Sequence, residues 1–405
     1  MARGSKKASR GIWGEKVEVA EAITKEGSMY YLVDENYEFI PVIKEYLDMI
    51  QSKATREVSP NTIRTYCYLL WYFQVFLYMN DLTVIDLEGR PEVLVKFKQW
   101  LKNPYRFYEN IETLDNTAYY PEGSNLGVRT INAIINMVSS LYLWLKATNR
   151  IKENPVIYRK VAVASSIMDK NPLIHTKGGK SIQVNTLKSK VPVTISKIIG
   201  EKEFKLLLQS VKSIRDKIIL IILKEGGLRA GELLGIRLED IDFAEQGIWI
   251  RFRSDNINNA RAKCGYGRDR FVHLPADLMV LIDRYISSEW IESNPNHDLL
   301  FVVINSKKAL ENGKPMKKST LDSIFKYYGK RLGINIHPHQ LRHTHVTELA
   351  QEYIKRGENI NWEYISKRLG HVNVTTTMEI YAHLTKEDYK YEYIRLYKKE
   401  KVKGE

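Results

Sequence analysis

Cysteine is nearly absent. The 405-residue chain carries only Cys67 and Cys264. They lie far apart and share no metal-ligand spacing, which excludes a disulfide scaffold and fits a reducing compartment. Long apolar runs are missing as well: no stretch reaches the roughly 20 residues that a membrane-spanning helix needs. Met1–Trp13 has Arg3, Lys6, Lys7 and Arg10 but no apolar core, so it does not read as a secretory signal. These absences predict a cytoplasmic protein without a membrane partner. Acid is also in short supply, with 48 Asp and Glu against 62 Lys and Arg, a net charge of +14. The pI is about 9.3. Such a surplus favours a polyanionic partner, most often nucleic acid, while a basic surface kept for solubility is the blander reading.

What is present is the composition of a folded protein, 44% hydrophobic and 27% charged, long enough for two domains. Residues 1–36 read as a basic N-terminal extension, either a disordered tail or an arm lying on phosphates, with a strand-like run at Met29–Val33. Residues 37–150 read as a helical domain. Ile40, Ile43, Leu47 and Ile50 form one stripe. Ser59-Pro60 is an N-cap with proline in the first turn, opening a helix with Ile63, Tyr66, Leu70, Phe73 and Leu77 on one face. Asp86–Leu101 and Val128–Lys146 complete a bundle of four or five helices, and Asn103–Asn125 between them is a long loop.

Residues 151–195, punctuated by Pro155, Pro172, Gly178-Gly179 and Pro192 and rich in Lys, read as a basic linker with a strand portion. Residues 196–385 form the second domain. Helices are predicted over Ser196–Gly226, Ala276–Trp290 and Lys318–Leu332, and strands over Gly247–Arg253, Arg270–Leu274 and Leu299–Val303. Residues 386–405 are a lysine-rich amphipathic tail. The fold class is therefore mainly α with a small β-sheet, α+β.

Chemistry concentrates between His337 and Tyr381. His337-Pro338-His339-Gln340-Leu341-Arg342-His343 is followed by Leu369-Gly370-His371 and Ile380-Tyr381-Ala382-His383. Arginine offers a planar fork for phosphate oxygens, histidine moves a proton near neutral pH, and tyrosine can attack phosphorus. Upstream, Arg229 follows a glycine stop at a helix start, where it can face an anion or simply pair with Glu232. His339, His343 and His345 have a spacing that evokes zinc, but no cysteine cluster or acidic third ligand joins them. Tyr381 is one of 25 tyrosines, and Tyr389, Tyr391, Tyr393 and Tyr397 are its nearest rivals. The pattern points to phosphoryl transfer without a nucleotide cofactor.

Gly227-Leu228-Arg229-Ala230-Gly231-Glu232-Leu233, together with His339 to His343, Leu369-Gly370-His371 and Tyr381-Ala382-His383, resembles the tyrosine recombinases, the integrase family of phages and mobile elements. Ser59-Pro60-Asn61-Thr62-Ile63-Arg64-Thr65-Tyr66 looks like the opening of that family's SAM-like core-binding domain. The resemblance implies a catalytic set. Arg229 and Arg342 clamp the scissile phosphate, His339 assists proton transfer, and His371 donates to a phosphate oxygen. Tyr381 is the nucleophile, and Lys263 protonates the leaving 5′ oxygen. Its hairpin, residues 262–270, is longer than the compact family pattern. Glu232 supports the site. The implied partners are duplex DNA and three further copies of the chain, a homo-tetramer on two DNA sites. Tails would be exchanged between protomers, and accessory DNA-bending or directionality proteins are compatible with the scheme. The two domains are expected to close on DNA as a clamp. The rival readings are a type IB topoisomerase, a catalytically silent DNA-binding regulator and a metal-dependent nuclease.

Overall fold

The computed structural model describes residues 16–24, 27–53, 58–102, 126–162, 181–191, 198–262, 267–306 and 308–371, with Val374 and Met378. The chain divides into two compact units, Met1–Val193 and Thr194–Glu405.

The first unit opens with a β-hairpin, β1 (Val17–Thr24) and β2 (Gly27–Asp34), paired antiparallel from Val17 opposite Asp34 to Thr24 opposite Gly27. The helices α1 (Pro41–Lys53), α2 (Pro60–Met79), α3 (Pro91–Lys102) and α4 (Val128–Ala147) follow. Ser59 caps α2 as its sequence predicts, its hydroxyl accepting from the Thr62 amide. Residues 17–34, read above as part of an extension, are built into the bundle. Val17, Val19 and Leu32 join its core, and the Trp71 indole N–H donates to the Val17 carbonyl at 2.7 Å. Alternation in β1 aims the two valines at one face, and that face needs cover.

The helix expected over Asp86–Leu101 starts only at Pro91. Ile85–Leu87 is a 3₁₀ turn, and Gly89 follows at φ +64°. The loop at residues 103–125 lies outside the described residues. Within the stretch read as a linker, β3 (Tyr158–Ala162) and β4 (Ser181–Asn185) form an antiparallel ribbon. Ile151, Val156 and Leu187 belong to the first unit's core, and Asn185 donates to the buried Ser139 hydroxyl at 2.7 Å.

The second unit contains α5 (Glu201–Ser210), α6 (Ile214–Glu225), the short α7 (Ala230–Leu234), a three-stranded antiparallel sheet, then α8 (Ala276–Tyr285), α9 (Lys318–Leu332), α10 (Pro338–Arg356) and α11 (Trp362–Leu369). The sheet runs β5 (Ile241–Asp242), β6 (Gly247–Ile250), β7 (Arg270–His273). The apolar run of α6 buries Ile218, Ile219, Leu220, Ile222 and Leu223, making it the central helix, packed on α8 and α10.

Leu299–Val303 is not a strand. Leu299 to Val302 are buried, but the stretch's backbone bonds divide between Ile236 on one side and Lys314 and Met316 on the other, leaving only the isolated bridges Arg237–Leu299 and Val302–Pro315. The helix predicted to Trp290 is α only to Tyr285, and a π turn occupies Ile286–Trp290. His337 caps α10, its Nδ1 accepting from the Gln340 amide at 3.2 Å, with Pro338 in the first turn. Gly370, at φ +66°, ends α11.

Candidate active site

The site begins where α6 stops. Gly226 caps that helix and Gly227 turns the chain at φ +63°. A side chain on Gly227 would drive its Cβ to within 2.5 Å of the His345 ring, so glycine is needed for both angle and space. The turn delivers Arg229 to the N-cap of α7. There Glu232 closes back on it: one carboxylate oxygen accepts from the Arg229 amide at 2.9 Å and the other from its Nη1 at 2.7 Å. The pairing with Glu232 weighed from sequence is thus present. It does not withdraw the guanidinium from solvent, since the Arg229 side chain keeps 22% exposure.

Arg342 comes from α10 and is almost fully buried. Its Nη1 donates to the Gly227 carbonyl at 2.6 Å, and its Nη2 donates to the Leu369 carbonyl at 2.8 Å and to His371 Nε2 at 3.0 Å. Arg229 reaches the same turn, with Nη1 3.2 Å from the Leu369 carbonyl and both terminal nitrogens 3.5 Å from that of Gly370. Two arginines 113 positions apart in number therefore meet at the carbonyls that end α11. The His371 amide donates to the Ser366 carbonyl, which holds the start of the next segment against the same helix end.

Beneath them lies Glu232, its side chain wholly buried. Arg270 on β7 grips it with Nη2 at 2.8 Å and Nη1 at 3.4 Å, and Arg342 stands 3.7 Å away. Burial pushes the Glu232 carboxyl up, but Arg270, then Arg229 and Arg342, outweigh burial and hold it below the ordinary carboxylate range. Three guanidiniums around one carboxylate leave a surplus of positive charge in a poorly solvated place, an environment that favours an incoming anion.

The histidines divide. His339 is exposed at the start of α10, its ring 4.3 Å from that of His343 in an edge-to-face arrangement. His343 is buried, its pKa lowered to about 4 by burial and then by His339 and Arg342. His345 is buried too, lowered to about 3 by burial first and then Arg368. Both rings are therefore neutral at physiological pH. Burial, then Arg342 and Arg229, lower His371 to about 4, so it is neutral at physiological pH. Among the described residues no group of three His, Cys, Asp or Glu is placed to hold a metal ion, and no helix is long and apolar enough to cross a membrane.

Of the six residues singled out from sequence, the structure brings Arg229, Arg342 and His371 together and places His339 on the first turn of the Arg342 helix. Lys263 and Tyr381 lie outside the described residues, as does the tail 386–405. Two arginines were missed. Arg270 was read only as part of a strand, and Arg368 was not read at all. The signal for Arg270 is its parity with the buried Val272: a charge at an inward-facing strand position has to be paired.

Residues 197–388 match the phage integrase family. Transposase A from transposon Tn554 of Staphylococcus aureus is 32% identical over 380 residues, covering 93% of this chain and 97% of that protein. Tyrosine recombinase XerA of Pyrococcus horikoshii is 31% identical over 196 residues, 48% of this chain and 60% of that one. Among solved structures, the Tn1549 transposon integrase in complex with a circular intermediate DNA shares the fold. It has a TM-score of 0.57 at 17% identity, covering 87% of this chain and 99% of that chain.

Proposed function

We propose a phosphotyrosyl route for this chain, which belongs to the phage integrase family and is a site-specific tyrosine recombinase, an enzyme of DNA strand breakage and rejoining. Its substrate is duplex DNA, and its reaction is of the integrase or transposase type. The observation that carries the reading is the convergence of Arg229, Arg342 and His371 on one helix end, over a carboxylate that three arginines hold ionised.

A phosphodiester resists attack because its oxygens are anionic. Arg229 and Arg342 trade their carbonyl contacts for the two non-bridging oxygens, neutralise them and fix the phosphorus. The Tyr381 hydroxyl, a poor nucleophile at its ordinary pKa of about 10, attacks phosphorus as its proton leaves toward the His339 side. The bond from phosphorus to the 5′ oxygen breaks, and Lys263 protonates that oxygen. His371 donates to a phosphate oxygen. The products are a 3′-phosphotyrosyl link and a free 5′ hydroxyl. A 5′ hydroxyl from another strand reverses the steps, and since each step exchanges one phosphate ester for another and retains the bond energy, neither ATP nor a metal is required.

Four copies on two DNA sites, with tails exchanged between neighbours, would supply the active sites for two duplexes, and accessory DNA-bending or directionality proteins fit the same scheme. The net charge of +14 supports the DNA partner.

The test is trapping on a nicked suicide substrate. A covalent protein–DNA adduct is expected, lost in Tyr381→Phe while DNA binding persists. An adduct that survives in that variant removes Tyr381 from its role. Plasmid relaxation by isolated monomers, without recombinant joints, would instead assign the chemistry to a topoisomerase-like activity.

A further inference from the structure

We propose that Arg368 and Arg270 are positioning residues that set the geometry of the Arg229–Arg342–His371 constellation by fixing the turn at Leu369-Gly370-His371. The proposal rests on the reading of that constellation as the phosphate site. Neither residue is placed to touch substrate.

Arg368 is the last residue but one of α11, and its guanidinium leaves that helix for three other elements. Nη2 donates to the Glu225 carbonyl at the end of α6, 2.8 Å away, and to the His273 carbonyl at the end of β7, 3.1 Å away. Nε donates to His345 Nε2 on α10 at 3.1 Å. Because guanidinium only donates, His345 must present a bare Nε2 and carry its proton on Nδ1. The His345 ring in turn leaves no room for a side chain on Gly227, whose carbonyl receives Arg342.

Arg270 closes the circuit from the sheet. Its Nε donates to the backbone carbonyl of Arg368 at 2.9 Å while its terminal nitrogens hold Glu232. Its Nη1 lies 2.6 Å from where a Cβ on Gly370 would sit. One side chain therefore holds both the carboxylate that orients Arg229 and the backbone immediately before Leu369. The Leu369 carbonyl receives both clamp arginines and the Gly370 carbonyl receives Arg229, so a small shift of this turn misplaces the arginines and His371 together. A displacement of about 1 Å at such a site costs up to about a hundredfold in rate.

The experiment uses the full chain carrying Arg368→Lys, which keeps charge and length but loses the planar fork, and Arg270→Lys as an independent second variant. Three quantities are read: DNA affinity, the rate of covalent adduct formation at saturating suicide substrate, and the NMR titration of the His371 ring in the free protein. We expect affinity within about threefold of the parent and an adduct rate lowered about tenfold to a hundredfold. We also expect His371 to titrate upward from about 4 toward its ordinary 6.5, as it withdraws from Arg342 and Arg229, the cations that face it alongside Glu232 and Arg270. A lowered rate with an unmoved His371 titration in both folded variants would overturn the proposal, leaving the two arginines as general fold supports. An unchanged rate would overturn it too. Absence of adduct in the parent would count against the phosphate-site reading instead, and the free-protein titration would still decide whether the arginines hold the turn.

Discussion

Arg342 Nη2 stands 3.0 Å from His371 Nε2, and the guanidinium has nothing to accept with. Nε2 must therefore be the acceptor, and the neutral ring carries its proton on Nδ1. Protonating Nε2 would set two donors against each other, which agrees with the low pKa of His371, about 4.

Acid should weaken the second unit in a defined window. His371 and His343 are lowered to about 4 and His345 to about 3, all from an ordinary 6.5. Between those values the unfolded chain binds protons that the folded one does not. The stability these neutral rings confer is complete above pH 6.5, falls as pH drops toward 4, and levels off below about 3. Each histidine contributes a slope of at most about 1.4 kcal/mol per pH unit. Urea unfolding followed at pH 7.5, 6, 5 and 4 should show a midpoint falling through the window. A midpoint flat from 7.5 to 5 would contradict the assignment.

The two clamp arginines should separate by stability rather than by chemistry. Lysine at either position cannot span two phosphate oxygens, and adduct formation should fall about 10²–10³-fold in both Arg229→Lys and Arg342→Lys. Arg342, however, is buried and serves the Gly227 and Leu369 carbonyls and His371 at once. Leaving such groups poorly served costs about 1–3 kcal/mol. Arg229, with 22% of its side chain exposed, loses contacts that water can replace. Thermal melts of the two variants should therefore differ, with Arg342→Lys the lower. Equal melting points would undo the distinction.

Gly227 and Gly333 offer a comparison of space with backbone angle. Both have left-handed backbones, φ +63° and +67°, but a Cβ on Gly333 meets nothing within 4 Å while one on Gly227 meets His345 at 2.5 Å. Gly333→Ala should cost about 1 kcal/mol for the angle. Gly227→Ala should cost that plus an overpacking penalty of about 1–3 kcal/mol, and should slow adduct formation because the Gly227 carbonyl receives Arg342. Chemical denaturation of both variants and one trapping assay are sufficient. Equal losses in the two variants would show that the His345 ring gives way.

What the sequence disclosed and what it hid follow from the range of the interactions. The Ser59 cap is written within a few residues of its partner and sets the start of α2 as predicted; the His337 cap of α10 is just as local, though in sequence that stretch is read only for its chemistry. The box from His339 to His343 was equally local. Arg270 and Arg368 gain their meaning only from partners 23 to 143 positions away, across a sheet and between helices. No periodicity reveals such a pairing. Leu299–Val303 has the composition of a strand, yet its backbone bonds are shared between two neighbours, which composition cannot express. The hairpin at residues 17–34 was underestimated for a related reason: its apolar face is short and becomes core only because α2 lies beneath it.

Glu232→Gln gives the sharpest test of the charge arrangement. The substitution keeps the shape, but it turns one of two accepting oxygens into a donor facing arginine donors and leaves Arg229, Arg270 and Arg342 without their shared anion. Removing one partner of a buried ionic set costs about 3–5 kcal/mol, because the remaining charges stay buried. Inorganic sulfate should restore part of that loss by binding at the solvent-reachable guanidinium of Arg229, and its stabilising effect should be larger in the variant than in the parent. Melting curves in matched ionic strengths of sodium sulfate and sodium chloride separate specific anion binding from screening. If sulfate raises both proteins equally, Glu232 does not set the anion affinity of Arg229 and Arg342, and the electrostatic basis of the clamp is wrong.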